Sequence, residues 1–176
     1  MAPRTVWAFR ALFGALATAI LFFALLPFGP GEGGIPGPDL MLCLVIAWVL
    51  RRPDYVPLWL LLPLLLLDDA LLMRPLGLWT LTVVLVTEWL RRRVDHGEAL
   101  PWSTETALAV GCIAVAFAAN QLALSLLLVP APPPLGGQAI HAVATMLFYW
   151  PVAIVSRLLG VRRLAPGELD TMGARA

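Results

Sequence analysis

Apolar residues along the chain fall into six long runs, separated by short polar or turn-forming links. A helix needs about 20 predominantly apolar residues to cross the roughly 30 Å hydrocarbon layer of a bilayer. We therefore predict an all-α fold, a polytopic bundle of six transmembrane helices in one domain over residues 1–160. The predicted helices cover residues 6–28, 35–50, 55–73, 76–90, 106–129 and 138–159. The polar tail over residues 161–176 is expected to be disordered.

The second and fourth runs are short for membrane spans. They contain about 16 and 15 residues, which corresponds to about 22–24 Å of helix. Short spans are tolerated where neighbouring helices bury their ends or where the bilayer thins locally. This pattern predicts a compact bundle with a recess on one side.

The overall composition agrees with a membrane environment. Apolar residues make up 60% of the 176 positions and charged residues 13%, and the mean hydropathy is +0.86. Soluble domains contain about 45–50% apolar and about 25% charged residues. Because this chain has too few polar side chains to cover a water-facing surface, we expect membrane lipids, and no nucleic acid, around the bundle.

The arginines predict how the bundle is oriented. All 12 basic residues are arginine. With the N-terminus in the cytoplasm, eleven of them fall on the cytoplasmic side and only Arg74 lies outside, in agreement with the positive-inside rule. If the second run did not cross the membrane, the later links would change sides and only three arginines would remain inside. We therefore predict six crossings with both termini cytoplasmic.

Polar side chains interrupt the apolar runs near their outer ends. Ionisable groups at membrane depth are costly and therefore mark candidate functional sites. The candidate outer polar cluster consists of Asp39, Asp68, Asp69, Arg74, Asn120, Gln121 and His141. We predict that it forms a patch or cavity that faces outward and contacts a partner or a ligand.

Each member of this cluster also has a structural interpretation. Asp39 can cap the N-terminus of the second helix by accepting from free N–H groups. One of the neighbouring Asp68 and Asp69 can pair with Arg74 while the other reaches interfacial water, and our specific hypothesis is an Asp69–Arg74 pair. Asn120 and Gln121 can instead hydrogen-bond to a neighbouring helix.

The cytoplasmic end of the fourth run carries a further acidic residue. Glu88 lies one helical turn before Arg91 and Arg92. Residues at this spacing are neighbours on a helix surface. We expect Glu88 to pair with one of these arginines.

Small residues recur on one face of the predicted fifth helix. The candidate helix-packing face consists of Ala107, Gly111, Ala114 and Ala118, at three- and four-residue spacing. Helix association in lipid depends on close packing, because lipid tails already satisfy apolar side chains. The face either packs against another helix of the same chain or binds a partner helix, and the sequence leaves both alternatives open.

Catalytic and metal-binding patterns are not found in the sequence. Cys43 and Cys112 stand alone inside apolar runs, without the spacing of a zinc site. Asp68 and Asp69 are adjacent on one helix and point about 100° apart, so they cannot share a proton as a catalytic dyad. Ser125 and His141 lie at similar depth, but no Gly-x-Ser-x-Gly segment surrounds the serine. We expect no enzymatic activity, no cofactor and no metal.

Four segments resemble the MreD family of rod-shape-determining membrane proteins in its alphaproteobacterial form. They are PDLMLCL at 38–44, AWVLRRPDYVP at 47–57, LDDALLMRPLGLW at 67–79 and TEWLR at 87–91. The likeness covers about residues 36–93, and the rest of the chain agrees only in length and hydropathy. The positions that follow the family pattern are Asp39, Asp69, Arg74, Gly77, Trp79 and Glu88. Asp68 is the less usual neighbour.

The resemblance implies a non-enzymatic inner-membrane subunit of the machinery that elongates the side wall of rod-shaped bacteria by peptidoglycan synthesis. In that family the partner is the single-span protein MreC. The wider assembly includes the glycosyltransferase RodA, its transpeptidase and the actin homologue MreB. The resemblance also implies the six-helix fold of the S-components of vitamin transporters, whose ligand pocket opens outward.

The alternative function is therefore an S-component-like transporter subunit that binds a small molecule in an outer recess. A ligand pocket requires convergent polar and aromatic groups in a cavity of about 300–1,000 Å³. A docking subunit instead requires an exposed groove of small and apolar residues that faces lipid. These two kinds of surface distinguish the alternatives in a structure.

Overall fold

The computed structural model describes residues 3–26, 37–94, 101–127 and 134–161. Within these ranges the chain forms six α-helices and no strand, so the predicted all-α class is confirmed. The helices are α1 (Pro3–Leu25), α2 (Leu40–Arg51), α3 (Leu58–Leu71), α4 (Leu78–Val94), α5 (Trp102–Leu126) and α6 (Leu135–Leu158), with a 3₁₀ turn at Pro53–Tyr55. The predicted tail lies outside the described residues from position 162 onward.

Three of the described helices are long and apolar enough to cross a bilayer. They are Thr5–Leu25 within α1, Trp102–Leu126 (α5) and Leu135–Leu158 (α6). Helices α2, α3 and α4 are shorter, with 12, 14 and 17 residues. A multi-pass membrane protein is the class that this set of helices favours.

Helix α2 is the centre of the bundle. All its residues from Met41 to Arg51 are buried, and it contacts α1, α4, α5 and, most extensively, α6. Around it, α1 contacts α3, α3 contacts α4, α4 contacts α5 and α5 contacts α6. At about 1.5 Å per residue α2 is only about 18 Å long, and the other helices surround it.

The hydrogen-bonding of Asp39 explains where α2 begins. Oδ1 of Asp39 accepts a hydrogen bond from the Leu42 N–H at 2.9 Å, so the predicted cap is confirmed. The apolar run predicts a start at residue 35, whereas the helix starts at Leu40, directly after this cap. Near its other end, α2 is joined to α6 by a buried hydrogen bond, in which Nε1 of Trp48 donates to Oγ of Ser156 at 3.2 Å.

Two helix boundaries differ from the predicted ones, and as a result additional charged residues are helical. Helix α5 begins at Trp102 instead of residue 106, which places Glu105 in its first turn. Helix α4 continues to Val94, so that Arg91, Arg92 and Arg93 are helical. Both helices therefore extend their charged ends beyond the apolar runs.

The link between α3 and α4 is a tight turn. Met73 has a positive φ of 52°, and the N–H of Arg74 after it donates to the Asp69 carbonyl at 3.0 Å. This is the hydrogen-bonding of a Schellman C-cap. Gly77, with φ 85°, completes the turn immediately before α4. The turn brings Asp68, Asp69 and Arg74 to one end of the bundle.

Candidate functional site

A cluster of charges lies at the end of the bundle where α2 begins, which we call the acidic end. Nη1 of Arg74 lies 3.4 Å from Oδ2 of Asp68 and 3.6 Å from Oδ2 of Asp39. Both carboxylates are buried, whereas 27% of the Arg74 side chain is exposed. The guanidinium also lies 5.4 Å above the ring of Trp79. Arg74 thus connects the turn after α3 to the start of α2.

Asp69 belongs to the same end but has a different role. Its Oδ2 accepts from the N–H of Gly77 at 3.0 Å, the N–H of Thr80 at 3.2 Å and the Thr80 hydroxyl at 2.8 Å. It therefore satisfies N–H groups at the start of α4, which have no partner inside that helix. The predicted Asp69–Arg74 ion pair is wrong. Adjacent helical residues point about 100° apart, and it is Asp68 that faces the arginine.

His141 is linked to this end through aromatic rings. Its ring packs edge-on against Phe117 with centroids 5.0 Å apart, and Phe117 contacts Trp79, the ring beneath Arg74, at 5.2 Å. One turn further along α6, Oγ1 of Thr145 accepts from the N–H of Asp39 at 3.0 Å. The structure therefore brings α6 into the candidate outer polar cluster, and Thr145 is a member that the sequence interpretation missed.

Asn120 and Gln121 are separate from the charges. Within the described ranges, no side-chain hydrogen bond or ion pair joins either amide to the carboxylates, to Arg74 or to another helix. Oε1 of Gln121 is buried without a hydrogen-bond partner in that part of the chain. The proposed bonding of these amides to a neighbouring helix is thus not found among the described residues.

The opposite end of the bundle, which we call the arginine end, contains a buried ion pair. Nε of Arg51, the last residue of α2, lies 3.0 Å from Oε1 of Glu105 on α5. Nη1 of Arg51 donates to the Ala153 carbonyl on α6 at 2.7 Å. Arg157 of α6 lies 3.9 Å from the other oxygen of Glu105, and its guanidinium lies 3.6 Å above the ring of Trp102. These contacts join α2, α5 and α6.

The sequence interpretation missed this ion pair because it placed Glu105 in a loop. An acidic residue three positions after the first residue of a helix is a common N-terminal signal. That signal was present at Trp102–Glu105, but the apolar run begins only at residue 106. A helix start predicted from the acidic first turn would have found it.

A third arginine at this end binds backbone. Arg91 donates to the carbonyls of Pro53 and Val56 in the turn between α2 and α3. Its Nε lies 3.7 Å from Oε2 of Glu88, so the predicted Glu88–Arg91 pair is confirmed. Arg91 therefore fixes the α2–α3 link against α4.

The candidate helix-packing face of α5 lies on the outside of the bundle. Ala107, Gly111, Ala114 and Ala118 are all exposed. A Cβ added at Gly111 would meet no atom within 4 Å. The alternative in which this face packs against another helix of the same chain is therefore wrong for the described helices. The residues of α5 that face the bundle include Ala109, Ile113 and Ala116.

A groove between α4 and α5, with a volume of about 630 Å³, overlaps this face at Ala107 and Gly111. Its walls carry small or apolar side chains, with hydroxyls only at Thr82 and Thr104. The lining residues, which define the α4/α5 groove, are Thr82, Leu85, Val86, Trp89, Thr104, Ala107, Leu108, Gly111, Cys112, Val115 and Ala119. The groove is thus separate from the charges of the acidic end.

The described residues bring together no three histidine, cysteine, aspartate or glutamate side chains that could hold a metal ion. Comparison of the chain with protein-family models, with curated proteins and with solved structures finds no match.

Proposed function

We propose that this chain is a non-enzymatic subunit of the bacterial cell-elongation machinery, located in the inner membrane, which supports side-wall peptidoglycan synthesis by binding a single-span protein similar to MreC. The observation that carries the proposal is the exposure of Ala107, Gly111, Ala114 and Ala118 along α5. RodA, its transpeptidase and MreB are the further members of the assembly that we expect around the pair.

Exposed small residues suit this role because of the way helices associate in lipid. Bulky apolar side chains gain nothing from leaving lipid for a helix surface, whereas small residues let two backbones approach and make many van der Waals contacts. On α5 the small positions recur every three or four residues from Ala107 to Ala118, about 16 Å of helix. A single partner helix can lie along this length.

The residues that carry the family resemblance support a role without catalysis. Asp39 caps α2 and pairs with Arg74, Asp69 caps α4 through Gly77 and Thr80, and Glu88 pairs with Arg91. Asp39 and Asp69 join elements of the bundle, and Glu88 pairs with an arginine of its own helix that binds the α2–α3 link. In this proposal the resembling segment builds the scaffold, and α5 supplies the binding surface.

The transporter-subunit alternative has less support. A ligand pocket at the acidic end would need polar groups directed into a cavity. There, Arg74, Asp68 and Asp39 face one another and Asp69 bonds to α4. The α4/α5 groove lies elsewhere and has apolar walls. Of the two kinds of surface, the exposed face of small residues on α5 favours docking.

The proposal includes six crossings with both termini cytoplasmic, and reporter fusions test it. Fusions at Glu32, Arg74 and Pro133 should report the periplasm, and fusions after Asp54, Asp95 and Ala176 the cytoplasm. The expectation rests on the eleven arginines that fall on one side. A cytoplasmic result at Arg74 would contradict both the number of crossings and the orientation.

The binding surface is tested by the double variant Ala114→Leu/Ala118→Leu. Both positions are exposed and neither lines the α4/α5 groove, so the larger side chains obstruct a partner helix without filling the groove or the core. We expect the variant to insert and to keep its thermal unfolding midpoint in detergent, but to lose co-purification with the MreC-like protein. The matched control is Ala139→Leu, an exposed position on α6, which should keep the partner.

Two results would count against the proposal. Retained co-purification by a folded Ala114→Leu/Ala118→Leu protein would place the partner elsewhere, with α1 as the next surface to examine. Normal rod shape in cells that carry only a folded, partner-free variant would separate the surface from cell elongation.

A further inference from the structure

The α4/α5 groove is long and has apolar walls. It extends along α5 from Thr104 to Ala119, fifteen residues or about 22 Å at 1.5 Å per residue. A hydrocarbon chain gains carbon–carbon contacts at about 4 Å wherever apolar side chains line its path, and the groove supplies such side chains along its length.

The end of the groove near Thr104 carries positive charge. Trp89 lines the groove there and is 47% exposed. The guanidinium of Arg93, one turn further along α4, lies 5.1 Å above the Trp89 ring. Arg92 beside it is also exposed. A tryptophan next to arginines is the arrangement found at the interface between lipid tails and headgroups.

These two arginines differ from the others of the arginine end. Arg51 and Arg157 pair with Glu105, and Arg91 pairs with Glu88 and binds two carbonyls. No carboxylate in the described ranges forms an ion pair with Arg92 or Arg93. Their charge is therefore available to an anion at the end of the groove.

We propose that the α4/α5 groove binds one acyl chain of an anionic phospholipid, with the phosphate of its headgroup held by Arg92 and Arg93. The apolar walls match the chain, and the arginines match the negative headgroup. The groove length of about 22 Å exceeds the roughly 15 Å that one leaflet contributes to a 30 Å hydrocarbon layer, so an acyl chain can lie along it. Trp89 lies between the two regions. The groove shares Ala107 and Gly111 with the proposed partner face but does not include Ala114 or Ala118, so Ala114→Leu/Ala118→Leu tests partner binding without filling the groove.

The experiment is native mass spectrometry of the full chain released from delipidating detergent, titrated with phosphatidylglycerol or with zwitterionic phosphatidylcholine of the same acyl chains. Phosphatidylglycerol should bind more tightly, and added salt should reduce the difference. In Arg92→Gln/Arg93→Gln the phosphatidylglycerol Kd should rise about 30-fold, because each arginine near an anionic headgroup contributes about fivefold. The control is Arg10→Gln on α1, whose Nε donates to the Asp54 carbonyl and which does not line the groove; it should leave the Kd unchanged.

The acyl-chain half of the site is tested with a groove-filling variant. Val115→Trp should prevent the binding of both lipids, whereas Leu147→Trp, a bulky change at an exposed position of α6, should not. If Val115→Trp fails to fold, Ala119→Phe fills the same groove nearer its other end.

Equal binding of the two phospholipids, or a Kd unchanged in Arg92→Gln/Arg93→Gln, would overturn the proposal. Unchanged lipid binding by folded Val115→Trp together with loss of the MreC-like protein would also overturn it, because the groove would then hold the partner helix.

Discussion

Arg51 and Glu105 form an ion pair inside the bundle, with Nε 3.0 Å from Oε1 and with side chains that are 2% and 4% exposed. The two residues join the end of the central helix α2 to the first turn of α5. A buried pair of this kind adds little net stability against a well-packed apolar pair, but the loss of one partner leaves an uncompensated charge. Its energetic role is therefore revealed by single and double substitutions together.

Glu105→Gln should lower the free energy of unfolding by about 3–5 kcal/mol, because Arg51 stays buried without its countercharge. The measurement is the change of the thermal unfolding midpoint in detergent. Arg51→Met/Glu105→Met should recover a large part of the loss, since no buried charge remains. The control Glu88→Gln removes a pair in which the glutamate is 40% exposed, and it should change stability by less than about 1 kcal/mol. An equal effect of Glu105→Gln and Glu88→Gln would contradict this interpretation.

The two neighbouring aspartates should respond differently to substitution. Asp69→Ala removes an acceptor of three hydrogen bonds and leaves the N–H groups of Gly77 and Thr80 unpaired, so it should destabilise by about 3 kcal/mol. Asp68→Ala leaves Arg74 with Asp39 and with water, and should change stability by about 1 kcal/mol. The same unfolding measurement compares them.

The charge swap Asp69→Arg/Arg74→Asp should not restore stability, because Arg74 faces Asp68 and Asp39. Restoration by that swap would mean that Asp69 is the true partner after all.

The sequence predicted the six helices of the described ranges because each apolar run is bounded by residues that end helices. It also predicted the contacts that are local in the chain, such as the Asp39 cap and the Glu88–Arg91 pair. Contacts that depend on the packing of distant segments were not predictable in this way. Thr145, which accepts from the N–H of Asp39, lies 106 residues away from it.

The choice between Asp68 and Asp69 needed the backbone of the following turn. Both residues are close to Arg74 in sequence, and only the left-handed conformation of Met73 determines which carboxylate the arginine reaches. The orientation of α5 was ambiguous for another reason. Small residues occur on the buried side of α5, at Ala109 and Ala116, as well as on its exposed side. The sequence pattern therefore does not show which side of α5 faces the bundle.

Met73→Gly should stabilise the bundle. Met73 is 92% exposed and adopts φ 52°, a conformation that is unfavourable by about 1–2 kcal/mol for a residue with a Cβ. Glycine removes this strain and loses about 0.5–1 kcal/mol through its greater freedom in the unfolded chain. The expected gain is therefore up to about 1.5 kcal/mol, measured as a higher unfolding midpoint. Gly160→Ala, at the corresponding C-cap of α6 with φ 86°, should lower the midpoint. A lower midpoint in Met73→Gly would contradict the turn geometry.

Substitutions at Gly111 distinguish an effect on folding from an effect on partner binding. In the middle of a helix, glycine is about 1 kcal/mol less favourable than alanine, and a Cβ at this position meets no atom within 4 Å. Gly111→Ala should therefore raise the unfolding midpoint of the isolated subunit. Gly111→Leu should also fold, because the position is exposed on α5.

If the α5 face binds a partner helix, Gly111→Leu should abolish co-purification of the MreC-like protein and Gly111→Ala should weaken it. Both variants should nevertheless fold stably. The physical reason is that the partner's backbone approaches closest where there is no side chain. A glycine kept at a destabilising position is then explained by binding. Full co-purification by a folded Gly111→Leu protein would mean that no helix backbone approaches this position, and that the glycine has no role in docking.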